Sequence, residues 1–487
     1  MKLETIFKNI AVREWQGSSD VEISSIAYHS NRVQKGSLFC VWKGEKTDGY
    51  SYIPQAIEKG AAALLVEKPI ENVSCPVVVV DNARSALTQA AAQFFQQPSQ
   101  KLRMVGITGT NGKTSTAFLV HDFVQRAGMK AGLIGTVVYD LGKGVIEAER
   151  TTPEGLDVQT YLHSMVENGC RAAVMETTSH ALRQGRVDGI SFEVGIFTNL
   201  TQDHLDYHGT MESYFEAKQL LFTRLQKNQS AVLNIDDSYG KRLINLVSPE
   251  ARVFTYGINA SNANFRAEQI DYTAQGTNFV LQSPEGTFNV KARWIGMFNI
   301  SNILAALAAG YALGLKVADM VQRLATQPFV PGRMEVMPHT KDFAVVVDYA
   351  HTDDALRKAI QTLRPLTKGS LWVLAGCGGN RDKTKRPLMA QAACELGDRV
   401  IFTSDNPRNE SPEAILDDMT EGVRSFRNYQ TIVDRAEAIQ TALCQAQKGD
   451  VVLIAGKGHE ITQEIQGVKH PFSDRDVALR FIEGGKA

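Results

Sequence analysis

Nine short apolar, largely β-branched runs alternating with helical patterns constrain this chain more than any other feature. They lie at 104–108, 132–138, 172–175, 194–198 and 231–235, and again at 344–347, 371–375, 400–403 and 451–455. Strands that alternate with helices specify βαβ units, which build mostly parallel sheets covered on both faces. Such sheets bind ligands beyond the carboxyl ends of their strands. Polar, glycine-rich or charged clusters follow the runs directly, at 108–115, 176–180, 199–204, 348–351, 376–385, 404–408 and 456–460. Two functional edges are expected, one per series, with an active site between them if they face each other.

At 487 residues the chain is too long for one hydrophobic core. The expected architecture is α/β with three domains: a small α/β domain at 1–98, a central P-loop ATPase-like domain with a mostly parallel sheet at 99–334, and a C-terminal Rossmann-like α/β domain at 335–487. The polar link Gln96-Gln-Pro-Ser-Gln-Lys101 and the Pro331-Gly332-Arg333 interruption mark the boundaries. A net charge of −1 gives no global field to recruit nucleic acid or an anionic membrane, so acidic ligands must be held by local arginines and lysines. No apolar run is long enough to span a bilayer, and the N-terminus lacks a signal-peptide pattern. The six cysteines are scattered without Cys-x-x-Cys or zinc spacing, in keeping with reduced thiols and a cytoplasmic protein.

The loop at 106–115 carries the strongest chemical signal. A strand candidate feeds a glycine-rich turn containing Gly109, Thr110, Asn111 and Gly112, followed by Lys113-Thr114-Ser115 and a helical pattern from Thr116 to Ala127. That order aims backbone N–H groups and a helix dipole at one point, an anion site suited to ATP. Lys113 would meet the β- and γ-phosphates, and Thr114 or Ser115 would offer a hydroxyl to Mg²⁺. The usual P-loop pattern would place its first glycine at 107, which is isoleucine here.

Other clusters are less specific alone. Glu176 ends a strand candidate and could hold Mg²⁺ or be a structural carboxylate. His204 and His208 have helical i, i+4 spacing but lack the glutamate of a zinc protease. Composition makes Lys218 an exposed, solvated lysine. Asn299, Asn302 and Arg333 lie near the domain junction, where Arg333 either bridges domains or reaches the nucleotide on closure. Asp405-Asn406-Pro407-Arg408 suits an amino acid, with arginine forking a carboxylate and Asp and Asn taking an ammonium; the same residues also form ordinary turns. Arg381, Gly456 and Glu460, on neighbouring strand-end loops, could complete that pocket.

Together, Gly109-Thr-Asn-Gly-Lys-Thr114, Glu176, Asn199 with Asp203-His204-Leu-Asp206, Asn299 and Asn302, Pro331-Gly-Arg333 and Asp348-Tyr-Ala-His351 resemble the Mur ligase family in order and spacing. That family joins amino acids to the peptide stem of peptidoglycan using ATP, and the irregular P-loop spacing is its own form. Thr151-Thr152-Pro153, Thr178-Ser179-His-Ala-Leu182 with Gln184 and Arg186, and Tyr214 to Lys218 resemble the branch adding the third stem residue. The resemblance implies a UDP-N-acetylmuramoyl dipeptide acceptor bound by Ser30, Glu45, Lys46, Thr47, Thr151, Thr152, Thr178, Ser179, Gln184 and Arg186, in part through a UDP-binding first domain. Where relatives read Asp-Ser-Arg, this chain has His29-Ser30-Asn31.

For ATP the resemblance implies Gly109 to Ser115, Asn299, Asn302, Arg333 and Asp348; for catalysis, Lys113, Glu176, His204, Lys218 and Arg333. It implies two Mg²⁺ ions near Thr114, Glu176, His204 and Lys218, the last carbamylated by CO₂ to N6-carboxylysine and so needing a depressed lysine pKa. In this branch Asp-Asn-Pro-Arg marks meso-2,6-diaminopimelate use, implicating Arg381, Asp405, Asn406, Pro407, Arg408, Gly456 and Glu460; L-lysine users differ there. The implied reaction forms an acyl phosphate that the amine attacks, in a bacterial cytoplasmic monomer. An L-lysine-adding enzyme, a folylpolyglutamate synthetase-like ligase, a P-loop kinase or motor, and a protein that has lost catalysis are the alternatives.

Overall fold

A computed structural model describes residues 1–44, 47–273, 276–338 and 340–483. The chain divides into two compact units, one formed by 1–268, 281–288 and 301–321, the other by 269–280, 289–300 and 322–487.

The first unit contains a five-stranded sheet in the order Glu14–Gln16, Val77–Val79, Ala61–Val66, Ser37–Cys40, Ser25–Ala27, parallel except at its first strand. Leu38, Leu65, Val78 and Leu87 fill one face and Phe39, Leu64 and Val79 the other. Helix Ala83–Phe94, capped by Asn82 accepting from the Ser85 N–H, packs on helix Gly155–Glu167. A Cβ on Gly155 would stand 1.8 Å from Thr88 Oγ1, so glycine there permits the close crossing.

A second, larger sheet carries the nucleotide loop. Strands Arg252–Gly257, Ser230–Asn234, Val194–Phe197, Arg103–Thr108, Ala172–Glu176 and Ala131–Ile134 lie side by side in parallel, with Arg103–Thr108 near the middle. Most residues of these strands are buried, which explains why they read as continuous apolar runs. The expected single strand at 132–138 is broken. Chain direction reverses at Gly135 into antiparallel strands Val138–Asp140 and Val145–Glu147. A Cβ on Gly135 would stand 2.6 Å from Glu176 Oε1, so glycine lets the turn fold against that carboxylate. Strands Phe265–Thr273, Gly276–Ser283 and Gly286–Ala292 also depart from the expected α/β rhythm, which the sequence suggested through to about 330.

The second unit is built on a sheet in the order Glu335–Val336, Ala344–Asp348, Val451–Ala455, Leu371–Ala375, Arg399–Phe402, Tyr429–Thr431. Only the first pairing is antiparallel. Apolar clusters cover both faces, one around Val373, Met389 and Phe402 and the other around Trp372, Ile401 and Ile439. A fully buried ion pair, Arg435 Nε to Asp474 Oδ1 at 2.6 Å, ties helix Arg435–Gln445 to helix Asp474–Ile482. Among the described residues no helix is long and apolar enough to cross a membrane, and the six cysteines form no disulfide.

Candidate active site

In the first unit, strand Arg103–Thr108 runs into the loop at 109–112, and helix Lys113–Arg126 begins at Gly112. Gly112 has φ +87, and a Cβ there would meet Asn302 Oδ1 at 2.3 Å. Gly109, at φ +151, would put a Cβ 1.8 Å from Thr198 Oγ1. Glycine is thus required at both positions, by backbone conformation and by space. Asn199 fixes the crest of the loop, its Oδ1 accepting from Asn111 N at 3.0 Å and its Nδ2 donating to Asn111 O at 3.1 Å. Lys113 Nζ donates to the carbonyls of Gly109 (2.9 Å) and Thr110 (2.8 Å), so its charge lies over the loop. Ser115 is buried in the first turn of the helix.

Glu176, at the end of its strand, is fully buried. Thr114 Oγ1 donates to its Oε2 at 3.1 Å, Thr136 N to Oε1 at 2.8 Å and Thr136 Oγ1 to Oε2 at 3.1 Å. Thr136 also meets Thr151 Oγ1 at 3.1 Å, while Thr152 Oγ1 donates to Glu176 O at 2.8 Å and accepts from Thr178 N. Four of the expected acceptor-site residues are completed around this knot: Thr178 caps helix Ser179–Arg183, Ser179 Oγ contacts His208 Nε2, Gln184 Nε2 donates to Tyr207 OH, and Arg186 Nη1 donates to Thr152 O.

Lys218 overturns its compositional reading. Helix Met211–Thr223 turns it inward to 1 % exposure, where its Nζ donates to Gly109 O at 2.8 Å and lies 4.5 Å from the centre of the Tyr214 ring. Amphipathic placement, invisible in composition, decides this burial. Removal from water and the neighbouring Lys113 charge hold the Lys218 amine well below its usual range, against a smaller opposing effect of Asp203. His204 precedes helix Leu205–His208 with φ +52, and His208 N donates to His204 O at 3.0 Å, so the two histidines keep the i, i+4 relation at the start of this short helix. His180 stands 4.9 Å from His204 and 5.4 Å from His208, ring centre to ring centre. Burial, reinforced by the mutual repulsion of the histidines, pushes His180 down to about 4; burial and Lys218 do the same to His208. His204 is lowered by burial, with Asp203 opposing.

An open cleft of about 860 Å³ also belongs to this unit. Ser30, Thr47, Tyr28, Trp42, Arg84 and Glu154 line parts of it. Tyr28 stacks on Trp42 at 5.9 Å, and the Arg84 guanidinium lies 5.1 Å from the Trp42 ring. Glu45 and Lys46 fall outside the described residues.

The second unit gathers its own polar cluster at strand ends. Asp348 accepts from Met334 N at 2.7 Å and Ala350 N at 2.9 Å, and its carboxyl is raised by burial, with the Arg333 charge opposing. Arg333 lies 4.5 Å from the Tyr349 ring centre, and Asn299 Nδ2 donates to Ile295 O at 2.9 Å. Asn406 is buried; its Nδ2 donates to Glu460 Oε2 at 2.8 Å and its Oδ1 accepts from Lys457 Nζ at 3.0 Å. Lys457 also meets Glu460 Oε2 at 2.8 Å. Gly456 has φ +116, and a Cβ there would stand 2.6 Å from Asp405 Oδ2. Pro407 O closes over Gly379, where a Cβ would be 1.9 Å away. Arg408 Nη1 donates to Gly379 O at 2.8 Å, while Arg381 is exposed on the same loop.

Sequence reasoning missed Thr136, Lys457 and Glu464. Thr136 and Glu464 carry no local signal, because their partners are 40 and 56 residues away. Lys457 lies inside a cluster that the sequence did flag, between Gly456 and Glu460.

A glycine loop between a central parallel strand and a helix, beside a buried strand-end carboxylate, defines a P-loop-type α/β nucleotide-binding protein. The chain belongs to the Mur ligase family: residues 22–95 match the family's catalytic domain, 107–310 the Mur ligase middle domain and 332–458 the Mur ligase glutamate ligase domain. It is 45% identical over 487 residues to UDP-N-acetylmuramoyl-L-alanyl-D-glutamate--2,6-diaminopimelate ligase of Bacillus licheniformis, covering 99% of this chain and 98% of that one. The ligase of the same name from Listeria monocytogenes is 42% identical over 489 residues, covering 99% of each. A solved structure of a ligase of that name superposes with TM-score 0.73 at 33% identity over 99% of both chains. A folylpolyglutamate synthase of Mycobacterium tuberculosis shares the fold at TM-score 0.63 and 17% identity, covering 82% of this chain and 95% of that one.

Proposed function

We propose that this protein is an ATP-dependent ligase that adds meso-2,6-diaminopimelate to UDP-N-acetylmuramoyl-L-alanyl-D-glutamate in peptidoglycan synthesis. The observation that carries the reading is identity of 45% along the whole chain with a ligase of that name, in a sequence that contains Asp405-Asn406-Pro407-Arg408 and Glu460. A Mur ligase of Thermotoga maritima solved with ADP supports ATP as the energy source.

In the reaction, the γ-phosphoryl group passes to the D-glutamyl γ-carboxylate and ADP leaves. The amine then attacks the acyl carbon, phosphate departs and the amine loses a proton. Phosphoryl transfer asks a protein for position and charge rather than covalent chemistry. The N–H groups at 109–115 cradle the phosphates, and Lys113 exchanges its two carbonyl acceptors for phosphate oxygens. Asn302, whose Oδ1 stands against Gly112, is a further nucleotide contact in this unit.

Thr114 and Glu176, buried oxygen donors 3.1 Å apart, fit a hard divalent cation that takes its other ligands from phosphates and water. Among the described residues no three His, Cys, Asp or Glu side chains form a cage of their own, which suits that mode. Mg²⁺ bound there supplies charge neutralisation at the phosphates. His204 and a carbamylated Lys218 are the further candidate ligands, and the neutral Lys218 amine is the form that reacts with CO₂.

Thr151, Thr152, Thr178, Ser179, Gln184 and Arg186 receive the dipeptide, and Ser30 and Thr47 the nucleotide end. Arg408, with Arg381, takes the second carboxylate of diaminopimelate, which lysine lacks; an arginine left unpaired disfavours lysine. The test is ADP release with the UDP-linked dipeptide and either amine. Turnover with diaminopimelate alone is expected. Equal turnover with L-lysine overturns the amine assignment, and no turnover with either overturns the function.

A further inference from the structure

Arg408 is held in an uncommon backbone state. Its φ is +52, a region that a residue with a long side chain enters only when its surroundings impose it. The constraint comes from a hairpin, Thr462–Ile465 paired antiparallel with Val468–Pro471. The hairpin turns through Gln466 at φ +50 and Gly467 at φ +76, the two positive values of a tight two-residue turn. Its first strand then pairs with Arg408 itself: Arg408 N donates to Glu464 O at 3.0 Å and Gln466 N donates to Arg408 O at 2.6 Å.

Three contacts with the Asp405-Asn406-Pro407-Arg408 run converge on Glu464. Its carbonyl takes the Arg408 N–H, its own N–H donates to Asn406 Oδ1 at 2.9 Å, and its Oε2 lies 3.3 Å from Arg408 Nε. Gln463 adds a fourth tie through Nε2 to Asp405 O at 2.7 Å. The Arg408 guanidinium is therefore gripped at Nε by Glu464 and at Nη1 by Gly379 O. The remaining N–H groups, on Nη2 and the second one on Nη1, are those these two contacts leave for a carboxylate. A planar fork recognises a carboxylate only in one orientation, so whatever fixes its plane also fixes selectivity.

We infer that Glu464 is a positioning residue for amino-acid choice, and that the 462–471 hairpin is the clamp that sets the Arg408 fork. The inference rests on the proposed reading of the Arg408 site.

The experiment measures kcat and KM for meso-diaminopimelate and L-lysine in wild type, E464A, E464Q, R408A and the double variant E464A/R408A, with KM for ATP as the internal control. In E464A the KM for diaminopimelate should rise about tenfold, the usual scale for a hydrogen bond to a charged group, with KM for ATP unchanged. Preference over lysine should fall by the same factor. E464Q, whose amide oxygen can still accept from Nε, should recover most of the loss. The R408A background should abolish the effect of E464A, since the two act as one unit. A purely structural role would instead lower kcat for both amines equally. Preserved preference in E464A, or additive losses in the double variant, overturns the inference alone. A wild type without preference for diaminopimelate overturns the underlying reading and this inference with it.

Discussion

Replacing Lys218 by methionine tests the electrostatics of the candidate site through stability. The lysine is buried, has one hydrogen-bond acceptor, Gly109 O, and sits close enough to Lys113 to feel its charge. These conditions favour the neutral amine, so its folded pKa lies well below 10.5 while the unfolded chain keeps the ordinary value. Between those two values the unfolded state binds one more proton than the folded state. Stability must therefore rise with pH across that window, by about 1.4 kcal/mol per unit, and level off above the unfolded value. K218M removes the titrating group and nearly keeps its volume. Urea unfolding of both proteins at pH 8.5 and 9.5, in CO₂-free buffer, isolates the lysine because the histidines that feel its charge are already neutral there. The wild type should gain about 1.4 kcal/mol on K218M over that interval. Parallel pH dependence would refute a neutral Lys218, and with it the basis for carbamylation.

In the nucleotide loop, G109A should cost at least about 100-fold in ATP affinity by calorimetry, because a Cβ 1.8 Å from Thr198 Oγ1 at φ +151 forces the phosphate cradle to rebuild; an unchanged Kd would refute the fit. T136V keeps the backbone N–H bond to Glu176 but loses the hydroxyl contact at 3.1 Å, and should destabilise the protein by about 1.5–3 kcal/mol in denaturant titration. His180 and His208, both pushed down to about 4, should remain neutral at pH 6 by NMR. Unfolded histidines protonate near 6.5, so both residues make the protein less stable as pH falls from there toward 4.

The α/β class and the places where chemistry gathers are legible in the chain because burial on both faces turns a parallel strand into a continuous apolar run, and strand ends carry what remains polar. Glu176 and the Asp405 to Arg408 run are visible for that reason. The strands between 252 and 292 escape the same reasoning: they are long, half-exposed and mixed in polarity, so their pattern resembles neither a buried strand nor a helix. Lys218 shows the opposite failure. A lysine on a helix has the same local pattern whether it faces water or a glycine carbonyl 109 residues away.

The linear sequence therefore determined where the buried parallel strands run, where glycine loops end them and which residue types wait at those ends, since these follow from neighbours a few positions apart. Tertiary structure decided the charge state of Lys218, the three donors on Glu176 and the grip of Glu464 on Arg408. Each depends on groups brought together from distant parts of the chain, where burial changes the cost of charge and one neighbour sets the direction of another.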